Sequence, residues 1–69
     1  MPDFEQMLED YYREVLGPGE ACIDVGAHVG RHTFPMAHCV GSKGRVFAFE
    51  PIPAIAAQLR ASIKAEQDR

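Results

Sequence analysis

Tryptophan is absent from this 69-residue chain, cysteine occurs only twice, and basic residues are outnumbered by acidic ones, 7 to 10. Each shortage excludes something. Two cysteines, Cys22 and Cys39, are too few for a disulfide framework, so both are read as small buried hydrophobes. A net charge of -3 leaves no basic stripe for nucleic acid or an anionic membrane surface. The apolar runs are far shorter than a bilayer span. The first residues lack a basic stretch leading into an apolar one, so no secretory signal is expected and the expected address is cytoplasmic. His28, His32, His38 and Cys39 do not have the spacing of a structural zinc module, and no metal site is expected. Internal repeats and low-complexity segments are missing too.

What is present has the balance of a globular chain, with 46% hydrophobic and 25% charged residues. At this length there is one domain at most, and only about 60% of the unfolded surface can be buried. Residues 3 to 16 predict an amphipathic helix. Phe4, Leu8, Tyr11 and Val15 form its stripe, Met7 and Tyr12 widen it, and Asp3 is the candidate cap. The Tyr11-Tyr12 pair is read as packing for this helix. Gly17-Pro18-Gly19 is a turn.

Ala21 to Val25 is short, apolar and without clean alternation, as expected of a strand covered on both faces. A helix is expected from Gly30 or Arg31 to Val40, starting late or distorted because Pro35 cannot donate an amide. Arg45 to Glu50 is the second strand, closed by Pro51, and Pro53 suits the first turn of a last helix striped by Ile55, Leu59 and Ile63. Arg60, Lys64 and Arg69 on that helix are interrupted by Glu66 and Asp68, which marks a solvated face. The order is α-β-α-β-α, and the inner β-α-β should be a right-handed parallel crossover. Two parallel strands need more neighbours, so the fold class is α/β: part of a Rossmann-like, doubly wound parallel sheet. The division expected is an amino-terminal helix and turn over 1–19, then the first β-α-β-α of a cofactor-binding domain over 20–69.

The chemistry concentrates in Cys22-Ile23-Asp24-Val25-Gly26-Ala27-His28-Val29-Gly30, with Glu50 twenty residues after Gly30. An apolar strand ending in a carboxylate and small residues, then a second strand ending in a carboxylate, is how α/β domains build a nucleotide site. Loop amides approach the ligand, and the second carboxylate accepts from ribose hydroxyls. The glycines do not follow the Gly-x-Gly-x-x-Gly dinucleotide pattern. Asp24-x-Gly26-x-His28-x-Gly30 resembles instead, apart from His28, the acidic-x-Gly-x-(Gly or Asn)-x-Gly loop of class I S-adenosylmethionine-dependent methyltransferases.

The runs CIDVGAHVGRHTFPMA and VGSKGRVFAFEPIP resemble the amino-terminal part of the FkbM family of those enzymes, over residues 20 to 63. The resemblance implies S-adenosylmethionine as cofactor and O-methyl transfer to a hydroxyl on a small-molecule or glycan-like substrate. It places Gly26, Ala27 and Gly30 where the loop approaches the amino-acid part of the cofactor. Asp24 would orient the ammonium, Glu50 would accept from both ribose hydroxyls, and Pro51 with Ile52 would flank the adenine. His28 stands where the family commonly has Asn, a bulkier donor that can charge near neutral pH. No residue is assigned as catalytic base, and the chain alone is expected to be inactive. Two other readings stay open: a non-catalytic module or split-enzyme subunit needing a partner chain, and a dinucleotide-binding module. Each site residue also has a plainer reading: Glu50 as a solvated strand end, Asp24 as an ordinary helix cap, and the glycines as turn residues.

Overall fold

The computed structural model describes residues 3–68. Its elements run α1 (Phe4–Val15), β1 (Ala21–Val25), α2 (Thr33–Val40), β2 (Arg45–Phe49) and α3 (Pro53–Gln67). Helix α1 begins where Asp3 accepts the Gln6 amide at 3.0 Å, which satisfies one of the orphan donors of a helix start. The expected strand Ala21 to Val25 forms as read. The second strand ends at Phe49, one residue early, because the Glu50 side chain turns back to bind backbone amides.

Helix α2 takes the late start. With Thr33 as its first residue, Pro35 falls in the first turn, where an amide has no intrahelical partner to lose. Pro53 opens α3, whose fixed φ suits that position. Along α3, Leu59 is buried and Ile55 and Ile63 half-buried, so the apolar stripe is the one the spacing predicts. Lys64 pairs with Asp68 at 3.1 Å and Arg60 is exposed, in keeping with a solvated face; Arg69 lies outside the described residues.

β1 and β2 pair in parallel, in register from Ala21↔Arg45 to Val25↔Phe49. This parallel α/β arrangement, bracketed by helices, is a partial Rossmann-like unit. Cys22, Asp24, Val46 and Ala48 share the face on which α2 packs and are half-buried or buried. The opposite face is open. Ile23, Val25, Phe47 and Phe49 are 63%, 80%, 52% and 55% exposed, so β1 is not covered on both sides. Its burial alternates even though its sequence does not, because only one layer of helices is present to cover the pair.

Helix α1 also departs from expectation. Its predicted stripe Phe4, Leu8, Tyr11 and Val15 is exposed, and Tyr12 is the residue it buries. The tyrosine pair is therefore split between core and surface. Cys22 and Cys39 are free and half-buried rather than fully buried. Among the described residues no helix is long and apolar enough to cross a membrane, and no group of three or more His, Cys, Asp or Glu could hold a metal ion.

Candidate functional site

The loop joining β1 to α2 turns sharply. Gly26 and Gly30 have φ of +74° and +102°, and between them His28 takes +54°. That region is open to glycine and costly for most side chains, with Asn, Asp and His the commonest exceptions. The two glycines differ in their surroundings. A Cβ built on Gly26 meets nothing within 4 Å, so the backbone faces open space there. A Cβ on Gly30 would lie 2.4 Å from the Phe34 ring, so Gly30 serves close packing of loop against helix.

The loop amides are largely committed. Gly26 N and Ala27 N both donate to the Phe49 carbonyl, at 2.8 and 3.0 Å, and Gly30 N donates to Ala27 O at 3.0 Å. His28 N donates to Glu50 Oε1 at 2.8 Å, and Ile52 N to Glu50 Oε2 at 3.1 Å. The amides of Gly26, Ala27 and His28 are thus spent on the end of β2 and on Glu50. What the loop offers is the open space at Gly26. Glu50 is half-buried and uses one lone pair on each oxygen for these amides, leaving acceptor capacity on both.

Asp24 is 8% exposed and accepts from the Thr33 hydroxyl at 2.7 Å. It is not a helix cap. His32 occupies the cap position of α2 and makes no side-chain cap bond. Asp24, Gly26, Ala27 and His28 line a groove of about 470 Å³ together with Leu8 of α1 and Arg31. Glu50, Pro51, Ile52 and Gly30 lie outside that lining. Glu50 is linked to it through the His28 amide, and Ile52 is 51% exposed.

Helix α1 is fastened across the loop by contacts that motif reading missed. Arg31 donates to Glu9 Oε1 at 2.5 Å and Arg13 to Glu9 Oε2 at 2.7 Å. These two bonds, Arg31 first, hold the Glu9 carboxyl below its usual range. The Tyr12 hydroxyl and His32 Nδ1 are 3.0 Å apart, the two rings meet edge to face, and His32 Nε2 pairs with Glu5. Burial, then the Glu9 charge, push the Tyr12 phenol up. His32 is thus a packing residue between α1 and the loop. The acidic flank of α1 was visible as charge alone; nothing in the spacing said that it crosses the loop of β1.

A family model for protein-L-isoaspartate(D-aspartate) O-methyltransferase matches residues 2–69. The chain belongs to that family. No curated protein and no solved structure matches it. The family is one of class I methyltransferases, and its cofactor is S-adenosylmethionine. The class and cofactor inferred from the loop therefore stand, while the matching family is not the FkbM one. The residues present suit this cofactor. The backbone at Gly26 leaves a space that any Cβ would enter, and two carboxylates at the strand ends keep unused acceptor sites for a cation and a diol.

Proposed function

We propose that this chain forms the cofactor-holding side of an O-methyltransferase, with residues 1–19 as a helix and turn and 20–69 as the first β-α-β-α of the binding domain. The observation that carries the reading is the Glu50 carboxylate, clamped between the amides of His28 and Ile52 at the end of β2. A carboxylate fixed by two backbone donors cannot swing away, and its remaining lone pairs suit the two ribose hydroxyls. Asp24 takes the ammonium of the amino-acid part, and the loop at Gly26, Ala27 and His28 lets that part approach. Pro51 and the exposed Ile52 side chain lie against the adenine. Gly30 acts one step back, seating the loop on Phe34. When bound, the cofactor supplies a methyl group on a sulfonium, and the chain's own contribution is to hold that group in line with an incoming oxygen.

The acceptor is an oxygen nucleophile. The family name points to a carboxylate of an isoaspartyl residue in a protein. The Phe49-Glu50-Pro51 run, shared with the FkbM resemblance, supports a hydroxyl on a small molecule or glycan as the second reading. The products differ in chemistry: a methyl ester releases methanol in mild base and a methyl ether does not. The open face at Ile23, Val25, Phe47 and Phe49 favours action alongside further chain that covers the sheet, as a split-enzyme subunit would require.

The test is calorimetric titration of the chain with S-adenosylhomocysteine, with circular dichroism as the check on folding. Saturable binding is expected, weakened by roughly 1–3 kcal/mol in Glu50→Ala. Unchanged affinity in a folded Glu50→Ala chain would remove the ribose assignment.

A further inference from the structure

Asp24 is a buried carboxylate with a single hydrogen bond. The Thr33 hydroxyl donates to Oδ2 at 2.7 Å, and no second hydrogen bond to the Asp24 carboxylate occurs among the described residues. No fully buried side-chain oxygen or nitrogen among them lacks a partner, so Oδ1 keeps some exposure, and Asp24 is one of the residues that line the groove. A carboxylate offers about four acceptor sites, and leaving it so poorly satisfied in a buried position is costly unless a donor or cation completes it. Two of the basic side chains that line the groove are engaged elsewhere: Arg31 with Glu9, and His32 with Glu5 and Tyr12. Thr33 is itself only 5% exposed and is the first residue of α2, so its backbone is fixed by the helix and its side chain is buried.

We propose that Thr33 is a positioning residue: by occupying Asp24 Oδ2 it aims Oδ1 into the groove to receive the ammonium of the cofactor's amino-acid part. This rests on the reading that the groove holds that part of S-adenosylmethionine. Thr33 touches no ligand atom and acts only through Asp24. Its effect is therefore confined to ligands that carry the ammonium.

Two ligands separate this role from general support of the fold. S-adenosylhomocysteine has the amino-acid part, and methylthioadenosine has the same nucleoside thioether without it. Calorimetric titration of the chain and of Thr33→Val is expected to show roughly tenfold weaker S-adenosylhomocysteine binding and unchanged methylthioadenosine binding. Thr33→Ser, which keeps the hydroxyl, is expected to restore the wild-type ratio of the two affinities. If Thr33→Val does not fold, Asp24→Asn and Thr33→Ser carry the test: the first must lose the preference and the second must keep it. Equal losses for both ligands, or none, overturn the proposal while leaving the cofactor reading in place. A folded wild-type chain that binds neither ligand overturns both.

Discussion

Glu50 Oε1 accepts the backbone amide of His28 at 2.8 Å, which ties the end of β2 to the loop that leaves β1. The other oxygen holds the Ile52 amide, so a single side chain fixes the crossing of two loops. Glu50→Ala leaves both amides without this partner. A loss of roughly 1–3 kcal/mol in folding stability is expected, read as a lower urea midpoint. Glu50→Gln retains one carbonyl oxygen and should fall between the two.

His28 holds φ of +54° with a branched ring on its Cβ. Its amide bond to Glu50 is made by the backbone, so the side chain can change without breaking it. His28→Asn is expected to raise stability, on the order of 0.5 kcal/mol, because Asn adopts the left-handed region at lower cost. A lower midpoint in urea would show that the imidazole contributes more than the backbone relief.

Gly26 and Gly30 should respond differently to alanine. Both pay for a positive φ, about 1 kcal/mol. Gly30→Ala also drives a methyl into the Phe34 ring, and roughly 1–3 kcal/mol more is expected from that overlap. Gly26→Ala meets nothing, so its further effect should fall on ligand affinity. Comparing melting curves with titrations of S-adenosylhomocysteine for the two variants checks both halves.

The pairing of Glu9 with Arg31 and Arg13 makes the seating of α1 depend on pH. The Glu9 pKa is lowered in the folded chain, so the folded state binds fewer protons than the unfolded one in this range. Its contribution is present above the ordinary carboxylate pKa and is lost as pH falls through the depressed value. Both arginines are well exposed, so the effect is small and weakens with salt. Glu9→Gln should flatten the acid side of the stability profile, which thermal melts at stepped pH would record.

Cys22 lies on the covered face of β1, and burial, then the charge of Asp24, push its thiol up. Thiolate is the reactive form, so alkylation by iodoacetamide near pH 8 is expected to be slower in the folded chain than after unfolding. Equal rates would mean that β1 opens freely.

Local order was legible in the residues because its causes are local. The Asp3 cap, the Gly17-Pro18-Gly19 turn, the Pro35 constraint and the Pro53 helix start each depend on neighbours within a turn. The strands at Ala21 and Arg45 were marked by apolar runs between turn residues, and the carboxylates Asp24 and Glu50 by their place at the strand ends. That arrangement pointed to a nucleotide site, and the resemblance of the loop to class I methyltransferases named the cofactor.

Only the tertiary structure decided which faces are covered and which polar groups are already spent. The stripe of α1 has the periodicity of a buried face, yet Tyr12 goes in while Phe4, Leu8, Tyr11 and Val15 stay out. Periodicity records a difference between two sides of a helix, not what lies against either. The amides of Gly26, Ala27 and His28 look available in sequence, and the Phe49 carbonyl and Glu50 carboxylate take them. Thr33 carries no motif signal, and it matters because α2 brings its hydroxyl to Asp24. Such pairings join residues far apart along the chain, so they are set by how the elements pack rather than by any residue's own preference.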